Sequence, residues 1–194
     1  MDRESELALV ARLRAGDPDA FDLVHGQFNG RLFNFLARLS RRREVAEDLL
    51  EETWLRLVAR AQHLQPETRL GPWLFTVARN LHVSYRRSRQ LEDSHAAGLL
   101  GLWPSGSPQP SPFEAAAASE AGYRLEAALG ALPVVYREAL LLVAIEGLRP
   151  MEAARVCGVS PEALRQRLSR ARTLLAQILD QESPALAVLK EIRA

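Results

Sequence analysis

The segment that most limits the fold of this chain is residues 150–178. A short helix predicted over Pro150–Cys157 is followed by the tight turn Gly158-Val159-Ser160. A longer helix comes next, which Ser160 can cap and Pro161 can open. Apolar residues recur in the longer helix at helical spacing and give it one buried stripe. Two such helices joined by a glycine-containing turn are typical of a helix-turn-helix.

The face of the longer helix that lies opposite the apolar stripe is basic. It carries no acidic residue between Ala163 and Gln177. The second helix of a helix-turn-helix enters the major groove of DNA, where guanidinium groups pair with guanine edges and phosphates. The alternative is a solvated basic surface, which helical proteins also carry. The residues expected to contact duplex DNA are Ser160, Glu162, Arg165, Gln166, Arg167, Ser169, Arg170 and Arg172.

The composition divides the chain into two parts. Prolines, glycines and serines are concentrated in residues 98–112, a density at which neither helix nor strand is expected. No run alternates polar and apolar residues over a useful length, so strands are not predicted. We therefore expect an all-α protein with two small helical bundles, residues 5–90 and 115–182. A flexible Pro/Gly/Ser-rich linker (91–114) joins them, a tail (183–194) follows, and the second bundle contains the helix-turn-helix.

Proline and glycine mark where the individual helices begin and end. The predicted helices are Ser5–Arg14, Pro18–Leu39, Arg43–Leu64, Pro72–Arg89, Phe113–Leu129, Pro133–Glu146, Pro150–Cys157 and Pro161–Asp180.

Charge distribution, cysteine content and apolar runs indicate where in the cell the protein is located, but they do not indicate its activity. The net charge of +1 conceals four arginines and no acid in Ala78–Arg89, and five carboxylates and no base in Glu44–Glu52. Cys157 is the only cysteine, so no intrachain disulfide can form, and we expect a small buried residue there. The first residues lack the layout of a signal peptide, and the apolar run Ala139–Ile145 is too short to span a bilayer. These features predict a cytoplasmic protein that does not insert into a membrane.

The helix predicted over Arg43–Leu64 has an unusual polar face. Four acidic residues gather opposite its core stripe, and Leu55 and Val58 lie among them. Apolar residues inside an acidic patch suggest a docking surface for a basic partner. Two stray exposed aliphatic residues are an equally acceptable interpretation.

The next helix, Pro72–Arg89, combines a predicted core face with a basic face. Trp73, Leu74, Val77, Ala78, Leu81 and Tyr85 are expected to be buried. The other face presents Phe75, Thr76, Arg79, Asn80, Val83, Arg86 and Arg87. An exposed ring interleaved with basic groups and amides suits single-stranded nucleic acid, because rings stack on bases and arginines follow phosphates. Phe75 could equally pack beneath the preceding loop, Gln62–Gly71, which is polar and long enough to reach a ligand.

Three segments in register resemble one protein family. They are VAEDLLEETWLRL (Val45–Leu57), GPWLFTVARNLHVSYRR (Gly71–Arg87) and ALRQRLSRARTLL (Ala163–Leu175). Their order, their spacing and the linker between two helical bundles are similar to those of bacterial RNA polymerase sigma factors of the extracytoplasmic-function (ECF) class, within the sigma-70 family. The resemblance covers nearly the whole chain outside the linker and the extreme ends.

The resemblance implies a role for each segment. The acidic helix would grip the β′ clamp helices of core RNA polymerase through Asp48, Glu51, Glu52 and Leu55. The next helix and the loop before it would melt the −10 promoter element and read an extruded base. The strand contacts implied there are Gln65, Glu67, Arg69, Phe75, Thr76, Arg79, Asn80, Val83, Arg86 and Arg87. The helix-turn-helix would read the −35 element as duplex. The linker would thread into polymerase, which would explain an extended Pro104–Pro112, and the β subunit is implied as a further contact of the chain with core polymerase.

Two departures from the family pattern concern single residues. Val45 replaces the first acid of the usual Asp-Ala-Glu-Asp opening, and Glu51 replaces a glutamine. The helix before the turn opens Arg149-Pro150-Met151-Glu152, where the family often has a polar, doubly acidic stretch. The implied partners are core polymerase, promoter DNA and a cognate anti-sigma factor, with no small-molecule substrate.

The alternative function is a stand-alone helix-turn-helix regulator, which would need a dimerisation or effector domain. Catalysis is not expected, because the chain has no phosphate-binding glycine loop and no serine elbow. The four histidines, His25, His63, His82 and His95, lack metal-ligand spacing, so neither a metal nor another cofactor is expected. His82 is predicted to be a packed residue.

Overall fold

The structure, a computed structural model, describes the backbone of residues 2–100, 113 and 119–181, and the side chains of all of these except 92–100. All regular elements in these residues are helical, and they fall into two compact units. The predicted all-α class and the two helical bundles are therefore confirmed. The predicted tail, 183–194, and residues 101–112 and 114 of the predicted linker lie outside the described residues.

In the described part of the first unit, residues 2–100, the chain forms four α-helices, α1 (Arg3–Arg14), α2 (Pro18–Ser40), α3 (Arg43–Arg60) and α4 (Leu70–Leu100). Local chemistry fixes where the first two begin. The Asp2 carboxylate accepts a hydrogen bond from the Ser5 N–H at 2.9 Å, and the Asp17 carboxylate accepts one from the Asp19 N–H at 3.0 Å. Asp2 and Asp17 both have a lowered pKa, chiefly because of hydrogen bonds from Ser5 and Arg12 respectively.

The core of the first unit lies where α2, α3 and α4 meet. Its largest fully buried side chains include Leu32, Phe35 and Leu36 of α2, Leu57 of α3, and Leu74 and Phe75 of α4. His82 is buried beside them, as predicted. These helices bury their apolar sides against one another, which leaves the polar faces of α3 and α4 exposed.

The C-terminal ends of α3 and α4 differ most from the predicted helix boundaries of the first unit. Helix α3 ends at Arg60, and a 3₁₀ turn over Ala61–His63 completes the segment that was expected to be helical to Leu64. Helix α4 begins at Leu70 and continues to Leu100, so the first residues of the predicted linker are helical. Leucine, glutamate and alanine in residues 91–100 favour a helix, and no proline stops it there.

The second unit contains α5 (Glu120–Ala131), α6 (Val134–Leu140), α7 (Pro150–Cys157) and α8 (Pro161–Gln181). The Ser119 hydroxyl accepts a hydrogen bond from the Gly122 N–H at 3.1 Å, so α5 starts later than the predicted Phe113. Phe113 itself is helical and half-buried. After α6, residues Leu141–Ile145 form a π-helical turn where a continuous α-helix was expected. In it the Glu146 N–H donates to the Leu141 carbonyl at 2.8 Å.

A buried arginine joins two helices of this unit. The Arg137 guanidinium donates to the carbonyls of Leu129, Gly130 and Leu132 at 2.9, 2.6 and 2.9 Å. These carbonyls lie at the end of α5, where a helix runs out of its own N–H donors, and only the Leu129 carbonyl also accepts a backbone hydrogen bond, from the Leu132 N–H at 3.3 Å. Arg137 therefore satisfies the C-terminus of α5 and fixes the turn into α6.

Candidate binding surfaces

The acidic face of α3 is exposed, as the sequence predicted. Asp48 and Glu51 are exposed and Glu52 is half-buried. Leu55 and Val58 retain 55% and 59% of their surface, which is high for branched aliphatic side chains on a helix with a well-filled core. Glu52 forms an ion pair with Arg56 at 2.7 Å, one turn along the helix. The surface thus combines free carboxylates with accessible apolar groups.

This surface forms one wall of a groove between α2 and α3. The groove has a volume of about 400 Å³ and is lined by Phe21, His25, Glu47, Leu50, Glu51, Trp54, Leu55 and Val58. Trp54 is nearly buried, and its indole N–H donates to the Asn29 side-chain oxygen at 3.0 Å. Its ring lies 4.8 Å from the His25 ring and 5.9 Å from the Phe21 ring, measured between centroids.

The sequence did not predict the α2 contribution to this groove. Phe21 and His25 are separated from Trp54 by about thirty positions of sequence, and only packing of α2 on α3 joins them. Phe21 and His25 are four positions apart and therefore share one face of α2, and this pair of rings could have indicated that α2 contributes to the groove.

The loop before α4 is held at both ends by buried leucines. Leu64 precedes it and Leu70 opens α4, and both are buried. Within the loop the Thr68 N–H donates to the Gln65 carbonyl at 2.9 Å and makes a tight turn. Gln65 and Glu67 are exposed. Arg69 is exposed too, but its guanidinium forms an ion pair with Glu6 of α1 at 2.9 Å.

Phe75 is not exposed on α4, so the prediction that it contacts a DNA strand is wrong. Its side chain is fully buried, and its ring packs edge-on against Phe35 with centroids 5.2 Å apart. The Arg31 guanidinium covers the ring from another side at 5.6 Å. A ring that is enclosed in this way cannot stack on a base.

Because Phe75 is buried, the core face of α4 is shifted around the helix axis from the face that the sequence predicted. Leu74, Phe75, Ala78 and His82 form the buried stripe, while Trp73, Val77, Leu81 and Tyr85, predicted as core, are only half-buried. Thr76, Arg79 and Val83 are also half-buried, and the Thr76 hydroxyl donates to the Pro72 carbonyl at 2.7 Å. Among the other predicted strand contacts, Asn80, Arg86 and Arg87 are exposed.

The exposed stripe of α4 borders a second groove, between α3 and α4. Its volume is about 300 Å³, and its lining residues are Arg56, Arg60, Trp73, Val77, Asn80, Leu81 and Ser84. The guanidinium of Arg60 makes no ion pair with any described residue, whereas Arg56 is paired with Glu52. An indole edge, an amide and two arginines in one groove can contact a base and the phosphates that flank it. Of these residues, only Asn80 was predicted to contact nucleic acid.

The helix-turn-helix has the predicted geometry. Gly158 ends α7 with a φ of 65°, a left-handed conformation that glycine adopts without strain. The Ser160 hydroxyl then accepts a hydrogen bond from the Ala163 N–H at 3.1 Å. Before the motif, a side-chain hydrogen bond to the Glu152 carboxylate raises the pKa of Arg149. The buried stripe of α8 consists of Leu164, Leu168 and Ala171.

The polar residues of the motif are accessible with one partial exception. Arg167 is half-buried, and Ser160, Glu162, Arg165, Gln166, Ser169, Arg170 and Arg172 are exposed. Arg165 forms an ion pair with Glu162 at 2.8 Å. Both side chains of this pair are largely exposed, so water screens the attraction and Arg165 can exchange Glu162 for another acceptor. Cys157 is buried on the inner side of α7, as predicted.

Within the described residues, no group of histidine, cysteine and acidic side chains could hold a metal ion. None of the helices in that part of the chain is long and apolar enough to cross a bilayer.

Comparison with known proteins identifies both units. The family model of sigma-70 region 2 matches residues 24–92, and that of sigma-70 region 4 matches residues 123–175. The chain is 37% identical over 147 residues to the ECF RNA polymerase sigma factor EcfG of Rhodopseudomonas palustris, covering 75% of this chain and 77% of the relative. It is 33% identical over 174 residues to the RNA polymerase sigma factor CarQ of Myxococcus xanthus, covering 89% of this chain and 96% of the relative.

A solved structure is similar over most of both chains. It is the complex of the Bartonella quintana sigma factor RpoE with the anti-sigma factor NepR. The sigma factor in it superposes with a TM-score of 0.69 at 28% identity, covering 84% of this chain and 98% of the other.

Proposed function

This chain belongs to the ECF class of the sigma-70 family of bacterial RNA polymerase sigma factors, and we propose that each of its described surfaces binds a different partner in promoter-specific initiation. It directs transcription initiation at a restricted set of promoters. The observation that carries this conclusion is the match of region 2 and region 4 to the two helical units, in the family's order. The reaction itself belongs to the polymerase, and the chain contributes binding and no catalytic residue.

The groove between α2 and α3 is the proposed contact with core polymerase. Leu55 and Val58 supply accessible apolar area, and Asp48, Glu51 and Glu52 supply negative charge around it. A basic helical partner with apolar residues at the centre of its contact face fits such a surface, because a desolvated apolar centre gives affinity and a charged rim gives orientation. The β′ clamp helices are the proposed partner, and Trp54 forms the floor that they would cover.

The groove between α3 and α4 is the proposed path of the separated non-template strand at the −10 element. Asn80 and Trp73 offer an amide and a ring edge to bases, while Arg60 and Arg56 offer charge to phosphates. Arg86 and Arg87 extend the basic surface along α4. The exposed loop residues Gln65 and Glu67, just before the first turn of α4, are proposed to read an extruded base of this strand. Thr76, Arg79 and Val83 flank this path.

The exposed face of α8 is the proposed contact with the −35 element. Its first turn carries Arg165 and Gln166, which can reach base edges, and its later turns carry Arg170 and Arg172, which can reach phosphates. Ser160 and Glu162 lie at the positively polarised end of the helix, beside the DNA backbone in this arrangement. Arg167 and Ser169 complete the face.

Regulation by an anti-sigma factor is part of the proposal. The similar Bartonella quintana sigma factor was solved with such a partner. An anti-sigma factor that covers the α2–α3 groove would exclude core polymerase by competition. Because polymerase and chromosome share one compartment in bacteria, we also propose a cytoplasmic location.

The test is run-off transcription with purified core polymerase on a library of genomic fragments, followed by mapping of start sites. We expect the monomeric chain to co-elute with core enzyme and to select a small promoter set. A protein that dimerises, binds a palindromic duplex alone and does not associate with core enzyme would instead be a stand-alone regulator.

A further inference from the structure

We propose that Glu6 of α1 is a positioning residue for promoter reading: it fixes the loop Gln65–Arg69 and, through Arg69, sets how strictly that loop discriminates bases. This inference rests on the proposed function of the loop. The carboxylate is nearly buried, with a side chain only 9% exposed, although it belongs to a helix whose neighbouring acid, Glu4, is exposed. A buried carboxylate must be paired to be stable there.

The two oxygens of Glu6 are both occupied, and by groups from different elements. Oε1 accepts a hydrogen bond from the Leu70 N–H at 3.0 Å, which is the first N–H of α4. Oε2 lies 2.9 Å from the Arg69 Nε and 2.9 Å from the nearest guanidinium nitrogen of Arg3. Arg3 in turn donates to the Glu67 carbonyl at 2.7 Å. The Glu6 carboxylate thus contacts the end of the loop directly, at Arg69, and its middle indirectly, through the Arg3 hydrogen bond to Glu67.

The contact with Leu70 also decides where α4 begins. The first N–H groups of a helix have no partner inside it, and a carboxylate that accepts one of them acts as a cap and opposes the helix dipole favourably. Here the capping residue lies 64 positions away in sequence. The start of α4 and the conformation of the loop are therefore set together by Glu6.

This arrangement changes the role of Arg69. The sequence predicted that Arg69 contacts the DNA strand, whereas the guanidinium is held by a buried carboxylate. A loop that selects a base must hold its polar groups within a fraction of an ångström, since a mobile loop accommodates several bases equally well. Arg69 is thus assigned to fixing the loop, and Gln65 and Glu67, which are exposed, are left to meet the base.

The test compares Glu6→Gln with the matched control Glu4→Gln in the full-length chain. Hydrogen exchange of the Leu70 amide and the loop amides is measured first, without polymerase or DNA. Holoenzyme is then used to select from promoter fragments with a premelted −10 element whose non-template bases are randomised. We expect Glu6→Gln to speed exchange and to reduce base discrimination about tenfold, the factor expected for one charge-assisted hydrogen bond. Glu4→Gln should match the wild type in both measurements.

Three results would overturn the proposal. Unchanged exchange in Glu6→Gln would mean that the carboxylate does not hold the loop. Faster exchange with unchanged base discrimination would mean that Glu6 only stabilises the fold. A wild-type holoenzyme that selects no base from the pool would overturn the proposed function of the loop, while the exchange result would still report on the contact itself.

A second variant covers the case in which Glu6→Gln does not fold. Arg69→Gln breaks the same ion pair from the loop side and leaves the Leu70 N–H bonded to Glu6. On its own it should speed exchange of the loop amides without DNA and reduce discrimination, and unchanged exchange with reduced discrimination would show that Arg69 contacts DNA directly. Where Glu6→Gln does fold, the double variant should be no worse than Glu6→Gln alone, because both act through one contact. Losses that multiply in the double variant would show that Arg69 contacts DNA independently, and would overturn its assignment to the loop.

Discussion

The ring of Phe75 meets the ring of Phe35 edge-on, with the ring planes at 87° and the centroids 5.2 Å apart. This contact joins α4 to α2 at the centre of the first unit and determines which side of α4 is buried. With Phe75 inside, the stripe that contains Trp73, Val77 and Asn80 lies toward the α3–α4 groove. The position of one ring thus decides which residues of α4 can approach a DNA strand.

Truncation of Phe75 tests this assignment through stability. Phe75→Ala should lower the free energy of unfolding by about 3–5 kcal/mol, because it leaves a cavity in the core beside Phe35. Phe75→Leu fills more of the space and should cost less. Urea denaturation followed by circular dichroism measures both. A Phe75→Ala variant that has normal stability but fails to bind single-stranded DNA would contradict the assignment of Phe75 to the core.

Asn80 and Thr76 should differ in promoter melting although both were expected to contact the strand. Asn80 is exposed and lines the α3–α4 groove, whereas the Thr76 hydroxyl is used by the Pro72 carbonyl. We expect Asn80→Ala to slow open-complex formation more than closed-complex binding. Thr76→Val should have a smaller effect on melting. Stopped-flow fluorescence of a base analogue in the −10 element measures the opening step. Equal effects of the two substitutions would contradict the rotation of α4.

Local chemistry made much of this fold predictable. Several helix ends are fixed by interactions with groups only a few residues away, so they can be located from the local sequence. The residues that fix them are Asp17, Pro18, Gly158 and Ser160. Exposure of Leu55 and Val58 likewise followed from helical spacing, since they lie among carboxylates.

The remaining features depend on partners that are distant in sequence. Helix α4 has apolar residues around much of its circumference, so Trp73, Leu74 and Phe75 fit more than one buried stripe, and only packing on Phe35 selects one. The burial of Glu6 depends on Arg69 and Leu70, which no periodicity connects to it. The floor of the α2–α3 groove is similarly set by the meeting of Trp54 with His25.

Charge and shape changes on α3 should abolish binding to core polymerase. Asp48→Arg with Leu55→Arg places two cations where a negative, apolar surface is proposed to meet a basic partner. Because such positions near an interface centre are worth a few kcal/mol, affinity should fall by at least about a hundredfold. Size-exclusion chromatography with core enzyme measures it, and circular dichroism checks that helicity is unchanged.

Leu23 on α2 provides the matched control for that pair. It is 56% exposed, against 55% for Leu55, and it does not line the groove. Leu23→Arg should leave holoenzyme formation intact. If the folded Asp48→Arg, Leu55→Arg variant also assembles normally, the acidic face of α3 is only a solvated surface.

The last prediction separates base reading from phosphate binding along α8. At about 100° per residue, Arg165, Ser169 and Arg172 share one flank and Gln166 and Arg170 the outer arc. Recognition helices read bases mainly with their first turns. Substituting Arg165 or Gln166 with alanine should therefore change the preferred −35 sequence, by roughly 1–3 kcal/mol per lost base contact.

Arg172, two turns further along α8, should behave differently. Arg172→Ala should weaken all promoters about equally and reduce the slope of log affinity against log salt by about one, since one phosphate contact is lost. Promoter-selection profiles at two salt concentrations distinguish the two kinds of contact. If Arg172→Ala alters base preference while Gln166→Ala changes only the salt dependence, α8 enters the major groove in the opposite sense, with its later turns on the bases.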